Sequence, residues 1–244
     1  MSEVPAVNAA QMREIQRVAQ EDYGLDILQM TENAGRACAL LALAMLGGRG
    51  RGQVVVILAG GGNKGAAGLS AARHLSNWGM NVEPILADVE SETSFAARRE
   101  LRILRESGVV EPSDMETSEI SLEDQLSRAD LIIDALVGYG LAGPPVGISA
   151  AATELAVRSR KPILALDVPT GVNATTGEAS SPAIHACTTL MLDLPKRGLL
   201  DPVAKSHVGE LFLADLGIPA SVHERLGIAV AGLFSEGPIV RLKR

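Results

Sequence analysis

Three groups of glycine and polar residues each follow a short apolar segment of the sequence, and together they could form a ligand-binding site. The first group is the glycine-rich stretch of residues 60–68, the second is Asp134 with residues 138–145, and the third is residues 167–171, which read DVPTG. Backbone N–H groups of a glycine-rich loop can bind phosphate or ribose oxygens, and aspartates add carboxyl groups. The sequence therefore predicts one site built from three segments.

The glycine-rich stretch fits two nucleotide-binding patterns only in part. Gly60, Gly62 and Gly65 match the spacing of a dinucleotide-binding loop, and Asp88 stands about twenty residues later, where a Rossmann dehydrogenase has a ribose-binding acid. A triphosphate-binding loop needs lysine after its last glycine, but Ala66 follows Gly65, which excludes that class. We expect a helix to begin at Ala66, so that residues 63–67 lie near a helix N-terminus and can bind anions.

The elements that must position these groups alternate between buried strands and helices. Strands are predicted in six apolar runs, namely residues 53–59, residues 81–87 and the runs beginning at Ala129, Lys161, Cys187 and Gly209. Helices are predicted after a capping box at Asn8 and over residues 26–46, 66–78 and 93–107, and residues 109–121 are predicted to be an exposed loop. This pattern indicates a mainly parallel sheet with helices on both faces, where ligands bind at the carboxyl ends of the strands.

Composition limits the classes of partner. The chain has 244 residues, of which 47% are hydrophobic, and this length fits one domain with a core over about residues 9–219 and an extension over residues 220–244. A net charge of −7 and an aromatic content of 2% argue against nucleic-acid and membrane partners and favour a small molecule. The two cysteines are too few for a disulfide framework and no secretory signal is evident, so a cytoplasmic protein is expected.

Five segments occur in an order that resembles a known family. They read AAQMREIQRVAQEDYGLDILQMTENAGRA, LAGGGNKGAAGLSAARHL, LIIDALVGYGLAG, LALDVPTGVNATTG and GELFLADLGIP. Together they resemble the NAD(P)H-hydrate epimerase (YjeF N-terminal domain) family. The resemblance implies a Rossmann-like three-layer α/β/α sandwich, often dimeric, that interconverts the two C6 epimers of hydrated NADH or NADPH and binds a potassium ion.

The resemblance also implies roles for individual residues. It makes Asp167 the substrate-contacting aspartate, to which we assign the acid and base role, and it makes Asp134 and Thr170 equivalents of potassium ligands. The other substrate-binding positions lie in two loops, which contain Asn63, Lys64, Gly65, Ala66 and Ala67, and Gly138, Tyr139, Gly140, Leu141, Ala142, Gly143 and Pro144.

The glycine-rich loop departs from the family pattern of two asparagines, two glycines and an aspartate. Lys64 stands where the family has a second asparagine, normally a potassium ligand, and Ala67 stands where it has a substrate-holding aspartate. Gln16 and Thr31 also differ from the usual aspartate and methionine. An ammonium group has the charge of a potassium ion and a similar size, so Lys64 could replace the ion. In the alternative, its side chain extends into solvent.

Three functions remain open from the sequence. The first is an epimerase, or an isomerase of a related small cyclic substrate, that acts through Asp167. The second is a non-catalytic ligand-binding or dimerising scaffold, which the altered loop would favour. The third is a nicotinamide oxidoreductase that uses Asp88. The segment DLPKRG could cap a strand or direct Lys196 into the site, and the scattered histidines do not support a metal hydrolase.

Overall fold

The computed structural model describes residues 4–88, 90–109, 119–140, 143–230 and 232–242. The chain begins with helix α1 (Ala9–Arg17), which continues into a π-helical turn (Val18–Asp22), and helix α2 follows (Ile27–Met45). Asn8 and Gln11 form the predicted capping box of α1, and Asp26 and Gln29 form a second one at the start of α2. Both boxes satisfy backbone N–H groups that a helix N-terminus leaves unpaired.

A seven-stranded sheet forms the middle layer of the described structure. Its strands are β1 (Val54–Ala59), β2 (Asn81–Leu86), β3 (Leu131–Ala135), β4 (Ile163–Leu166), β5 (Thr188–Leu192), β6 (Glu210–Ala214) and β7 (Ile239–Arg241). They lie in the order β2-β1-β3-β4-β5-β6-β7, and only β7 runs antiparallel to its neighbour. The chain reverses direction across the sheet between β1 and β3, which is where an open α/β sheet forms its ligand-binding crevice.

Helices cover both faces of the sheet. The remaining ones are α3 (Asn63–Asn77), α4 (Phe95–Glu106), α5 (Glu119–Arg128), α6 (Gly147–Ser159), α7 (Arg197–Leu200), α8 (Lys205–Val208) and α9 (Ala220–Arg225). Side chains of β1 alternate between two cores: Val55 and Ile57 join the core of α1 to α4, whereas Val56 and Leu58 join the core of α5 and α6. This alternation, expected for a strand buried on both sides, confirms the three-layer α/β/α sandwich.

Helix α3 begins at Asn63, so the prediction that it begins at Ala66 was wrong. Its early start depends on close packing against the sheet. A Cβ atom on Gly65 would lie 1.7 Å from the carbonyl oxygen of Gly60, and one on Gly68 would lie 2.4 Å from the Cβ of Ala135. Glycine lets the first turns of the helix sit directly on the ends of β1 and β3, a tertiary contact that outweighs the low helix propensity of glycine.

Two other local predictions were incomplete. Residues 220–244 were treated as an extension, but they contribute α9 and strand β7, which pairs with β6. The predicted loop at residues 109–121 overlaps the start of α5 at Glu119, and residues 110–118 lie outside the described residues. Across the described parts of the chain, every helix is too short or too polar to cross a lipid bilayer.

Candidate active site at the carboxyl ends of the strands

A cavity of about 420 Å³ opens at the carboxyl ends of β1, β3 and β4. Side chains from α1 and α2 form one wall, and the first turn of α3 and the loop after β3 form the other. The predicted site residues that line it are Asn63, Lys64, Ala67, Gly138, Tyr139, Gly140 and Asp167. The three sequence segments thus meet at one edge of the sheet, as parallel strand order requires.

Other predicted residues lie outside the cavity lining. Gly65 and Ala66 belong to the first turn of α3 and face the sheet, and the Ala66 side chain is fully buried. Gly143 and Pro144 are exposed and do not line the cavity, whereas Leu141 and Ala142 lie outside the described residues. Substrate contact by Ala66 stays a prediction, and Ala66 does not line the cavity.

Asp167 follows β4 directly and has a left-handed backbone conformation, with φ of 65°. This conformation is uncommon for a residue other than glycine and often occurs at functional sites. The Asp167 N–H donates to the carbonyl oxygen of Leu190 at 2.7 Å, and Oδ1 accepts from the N–H of Leu192 at 3.3 Å. Only 3% of the residue is exposed, so its carboxyl group is held in a fixed position in the cavity wall.

Lys196 forms an ion pair with Asp167. Its Nζ lies 2.6 Å from Oδ1 of Asp167 and donates to the carbonyl oxygen of Leu192 at 2.5 Å, and the lysine side chain is completely buried. Because unpaired charges are costly inside a protein, each member of this pair needs the other. The structure therefore places a proton acceptor and a cation together at the end of β4.

Lys64 extends from the first turn of α3 into a group of oxygen atoms beneath the cavity. Its Nζ donates to the carbonyl oxygens of Val168 at 2.8 Å and Val137 at 3.0 Å. It lies 3.2 Å from Oδ2 of Asp134 and 3.3 Å from Oγ1 of Thr170. The side chain is 6% exposed, so it does not extend into solvent.

Asp134 and Thr170 are themselves fully buried and hydrogen-bonded to each other. The Thr170 hydroxyl donates to Oδ1 of Asp134 at 2.6 Å, and the Thr170 N–H donates to Oδ2 at 2.8 Å. Burial lowers the pKa of Lys64, and the negative charges of Asp134 and Asp167 oppose that shift. The Lys64 ammonium therefore lies within hydrogen-bonding distance of both Asp134 and Thr170, the two predicted equivalents of potassium ligands.

Tyr139 connects the loop after β3 to α1. Its hydroxyl donates to Oε1 of Gln16 at 2.5 Å. Burial raises the pKa of Tyr139 to about 12, and the charge of Asp167 acts in the same direction. The phenol therefore remains a hydrogen-bond donor at neutral pH, and it joins two walls of the cavity.

Sequence reasoning missed several residues of the cavity, including Arg13, Met30 and Leu216. Arg13 and Gln16 are three residues apart on α1, each directly after one of the buried residues Met12 and Ile15, so they lie on the neighbouring face of the helix. This i,i+3 spacing of two polar residues could have predicted that both side chains lie on the same face of α1. Leu216 comes from beyond β6, and nothing local in the sequence predicts that it reaches the site.

The Asp88 carboxylate is engaged by the glycine-rich loop. It lines the cavity, and its Oδ2 accepts from the N–H of Gly61 at 2.5 Å. The Asp88 side chain therefore stabilises the backbone of the glycine-rich loop and also faces the cavity. Within the residues that the structure describes, no group of three or more His, Cys, Asp and Glu side chains could hold a metal ion.

Comparison with known proteins relates the chain to a single family. The family model described as YjeF-related protein N-terminus matches residues 27–198. An NAD(P)H-hydrate epimerase from Dehalogenimonas lykanthroporepellens is 41% identical over 234 residues, which cover 95% of this chain and 90% of that protein. An NAD(P)H-hydrate epimerase from Rhodopirellula baltica is 30% identical, with 93% of this chain and 90% of that protein covered.

Two further similarities concern domain composition and fold. A bifunctional NAD(P)H-hydrate repair enzyme from Moorella thermoacetica is 32% identical over 87% of this chain, which spans 40% of that longer protein. The crystal structure of the yeast protein YNL200c superposes with a TM-score of 0.81 at 24% identity, with 98% of this chain and 100% of that chain covered. The latter similarity shows that the two chains share a fold.

Proposed function

The chain belongs to the YjeF-related protein N-terminus family, and we propose that it is an epimerase that interconverts the two C6 epimers of hydrated NADH or NADPH. One structural observation carries this proposal. A buried carboxylate and ammonium, Asp167 and Lys196, lie 2.6 Å apart at the edge of a cavity that can admit a substrate ring. A related small cyclic substrate would use the same groups.

The reaction needs one group that can both give and take a proton. In the hydrate, C6 carries a hydroxyl group beside the ring nitrogen. The cycle begins once Asp167 has taken a proton from solvent and is a neutral carboxylic acid. The nitrogen lone pair then expels the C6 hydroxyl as the C6–O bond breaks, Asp167 gives its proton to the leaving oxygen, and water, a ring iminium and the Asp167 carboxylate result. Water then adds to C6 from the opposite face and returns a proton to Asp167. Such positioned acid and base catalysis contributes roughly 10²–10⁴-fold to a rate.

Lys196 supports this cycle by its charge and position. After the first proton transfer Asp167 is a carboxylate facing a cationic ring, and the Lys196 ammonium and the Leu192 N–H fix its orientation. A preorganised ion pair of this kind needs no reorganisation when charge develops in the substrate. We assign Lys196 as a positioning residue, since its Nζ contacts Asp167 and the Leu192 carbonyl.

The remaining cavity residues suit a dinucleotide. The first turn of α3 offers backbone N–H groups near Asn63, and Arg13 adds a cation at the rim, so both can bind phosphate oxygens. The nicotinamide end would then face Asp167 and the loop of Gly138 and Tyr139. The homodimer that the family resemblance implies stays a prediction.

An epimer assay tests the proposal. Hydrated NADH enriched in the R epimer should move toward the equilibrium ratio faster with the protein than in buffer, as followed by chromatography. Binding of NADH without faster epimerisation would favour the scaffold alternative. Consumption of NADH with a carbonyl substrate would favour the oxidoreductase that uses Asp88, but the bond between Asp88 and Gly61 gives no support to that reaction.

A further inference from the structure

We propose that Lys64 supplies the monovalent cation of this site from within the chain, so that the site needs no potassium or other ion from solution. The ammonium lies 2.8 to 3.3 Å from four oxygen atoms that come from the ends of β3 and β4. This proposal does not depend on the identity of the reaction, because it concerns what holds three segments of the chain together.

The oxygen atoms around Nζ form a cation site by their chemistry. Two are backbone carbonyl oxygens, one belongs to the Asp134 carboxylate, and one is the Thr170 hydroxyl oxygen. The Thr170 hydroxyl donates its proton to Oδ1 of Asp134, so its lone pairs accept from the Val137 N–H and from Nζ of Lys64. Oδ2 of Asp134 also accepts from the Thr170 N–H. The Asp134 carboxylate is fully buried and negatively charged, and leaving such a charge without a cation is costly.

A lysine matches this arrangement. An ammonium has three N–H donors and one positive charge, and its three shortest contacts are with the carbonyl oxygens of Val168 and Val137 and with Asp134. The fourth oxygen, on Thr170, lies at 3.3 Å, where it adds an ion–dipole contact. The Lys64 ammonium therefore supplies a positive charge and hydrogen-bond donors to these oxygens. Carboxylate, carbonyl and hydroxyl oxygens are also the ligands that hard metal cations prefer.

The fold keeps the ammonium in this position. The side chain starts from the second residue of α3, and a Cβ atom built on Gly138 would lie 3.5 Å from Cδ of Lys64, so the loop after β3 covers the lysine stem. An ion in solution can leave the site, but a tethered ammonium cannot. The loop that contains Tyr139 and the turn from Asp167 to Thr170 should therefore keep their geometry at any potassium concentration.

Thermal unfolding in three salts tests the proposal. The wild-type chain should have the same Tm in potassium chloride, sodium chloride and tetramethylammonium chloride at equal ionic strength. Lys64→Asn shortens the side chain and leaves room for an ion, so its Tm should be reduced in tetramethylammonium chloride and restored by potassium. Above the dissociation constant, each tenfold rise in potassium should raise the Tm of this variant by about 3–6 °C.

Two control variants separate charge from volume. Lys64→Met removes the charge but keeps the stem in place, so its Tm should fall in all three salts without rescue by potassium. Lys205→Asn changes an exposed lysine at the start of α8 and should behave as wild type. A Lys64→Asn chain that is as stable as wild type in every salt, or destabilised with no rescue by any ion, would overturn the proposal.

A binding measurement covers the case in which Lys64→Asn does not fold. Thallium(I) can replace potassium as a probe, and its binding to the wild-type chain can be followed by titration calorimetry. The proposal predicts no stoichiometric thallium site in the wild-type protein, and one bound thallium ion per chain would refute it. Neither readout uses turnover, so the proposal can fail while the epimerase assignment stands, and the reverse also holds.

Discussion

Asp167→Asn is expected to abolish epimerase turnover and to destabilise the fold. Asparagine has nearly the same shape as aspartate but cannot relay a proton, so the rate should fall by at least about 10²-fold. The same change leaves Lys196, which is completely buried, without its negative partner. Removing one member of a buried ion pair costs about 3–5 kcal/mol.

The asparagine oxygen can still accept from Lys196, which favours the lower end of this range. A cost of about 3 kcal/mol corresponds to a decrease in Tm of about 6–12 °C for a chain of this size. Denaturant unfolding gives the free energy of unfolding, and the chromatographic epimer assay gives the rate. The exposed Asp124→Asn on α5 loses only a surface ion pair with Arg128, so it should match the wild type in both measurements.

A double variant separates the two effects. Asp167→Asn combined with Lys196→Met removes both charges, so part of the lost stability should return while turnover stays absent. Full turnover in Asp167→Asn would show that the carboxyl group has only a structural role. Recovery of turnover in the double variant would show that the single variant was inactive because it unfolded, and the proton relay would then be wrong.

Two further predictions concern the substrate loop and the pH dependence of stability. Ala67 lies in the cavity wall, so Ala67→Asp places a carboxylate there. This variant should bind NADH at least about tenfold more tightly, because a charged hydrogen bond is worth about 1.5–3 kcal/mol. Equal affinity of the variant and the wild type in titration calorimetry would contradict this prediction. Burial acts to lower the pKa of His223, but its hydrogen bond to Asp193 at 2.9 Å and the Asp193 charge outweigh burial and raise the pKa above 6.5. Protonated His223 therefore adds stability that is complete below pH 6.5 and is lost as the pH rises through the folded-state pKa. In Tm measurements across this range, His223→Gln should lack that decrease, and an unchanged pH profile in the variant would contradict the assignment.

The strand pattern and the meeting of three segments could be predicted because they depend on local apolar runs. Strands β1 to β6 lie in the predicted runs, and most of their residues are buried. Parallel order then fixes which strand ends meet, so the sequence was enough to place Asp134 and Asp167 at one edge of the sheet.

The contacts that decide the chemistry could not be predicted in this way. The left-handed conformation of Asp167 and its ion pair with Lys196 depend on how β4 and β5 end side by side. The early start of α3 depends on Gly65 packing over Gly60, which propensity scales do not represent. Strand β7 has only three residues, and its pairing with β6 has no signal in local periodicity.

The most direct test of the epimerase assignment starts from each purified epimer of hydrated NADH in separate reactions. With the wild-type protein, both reactions should converge on the same epimer ratio well before the buffer controls do, and the total amount of hydrate should stay constant. Convergence at the buffer rate from both starting points, with a folded protein that binds NADH, would contradict the assignment.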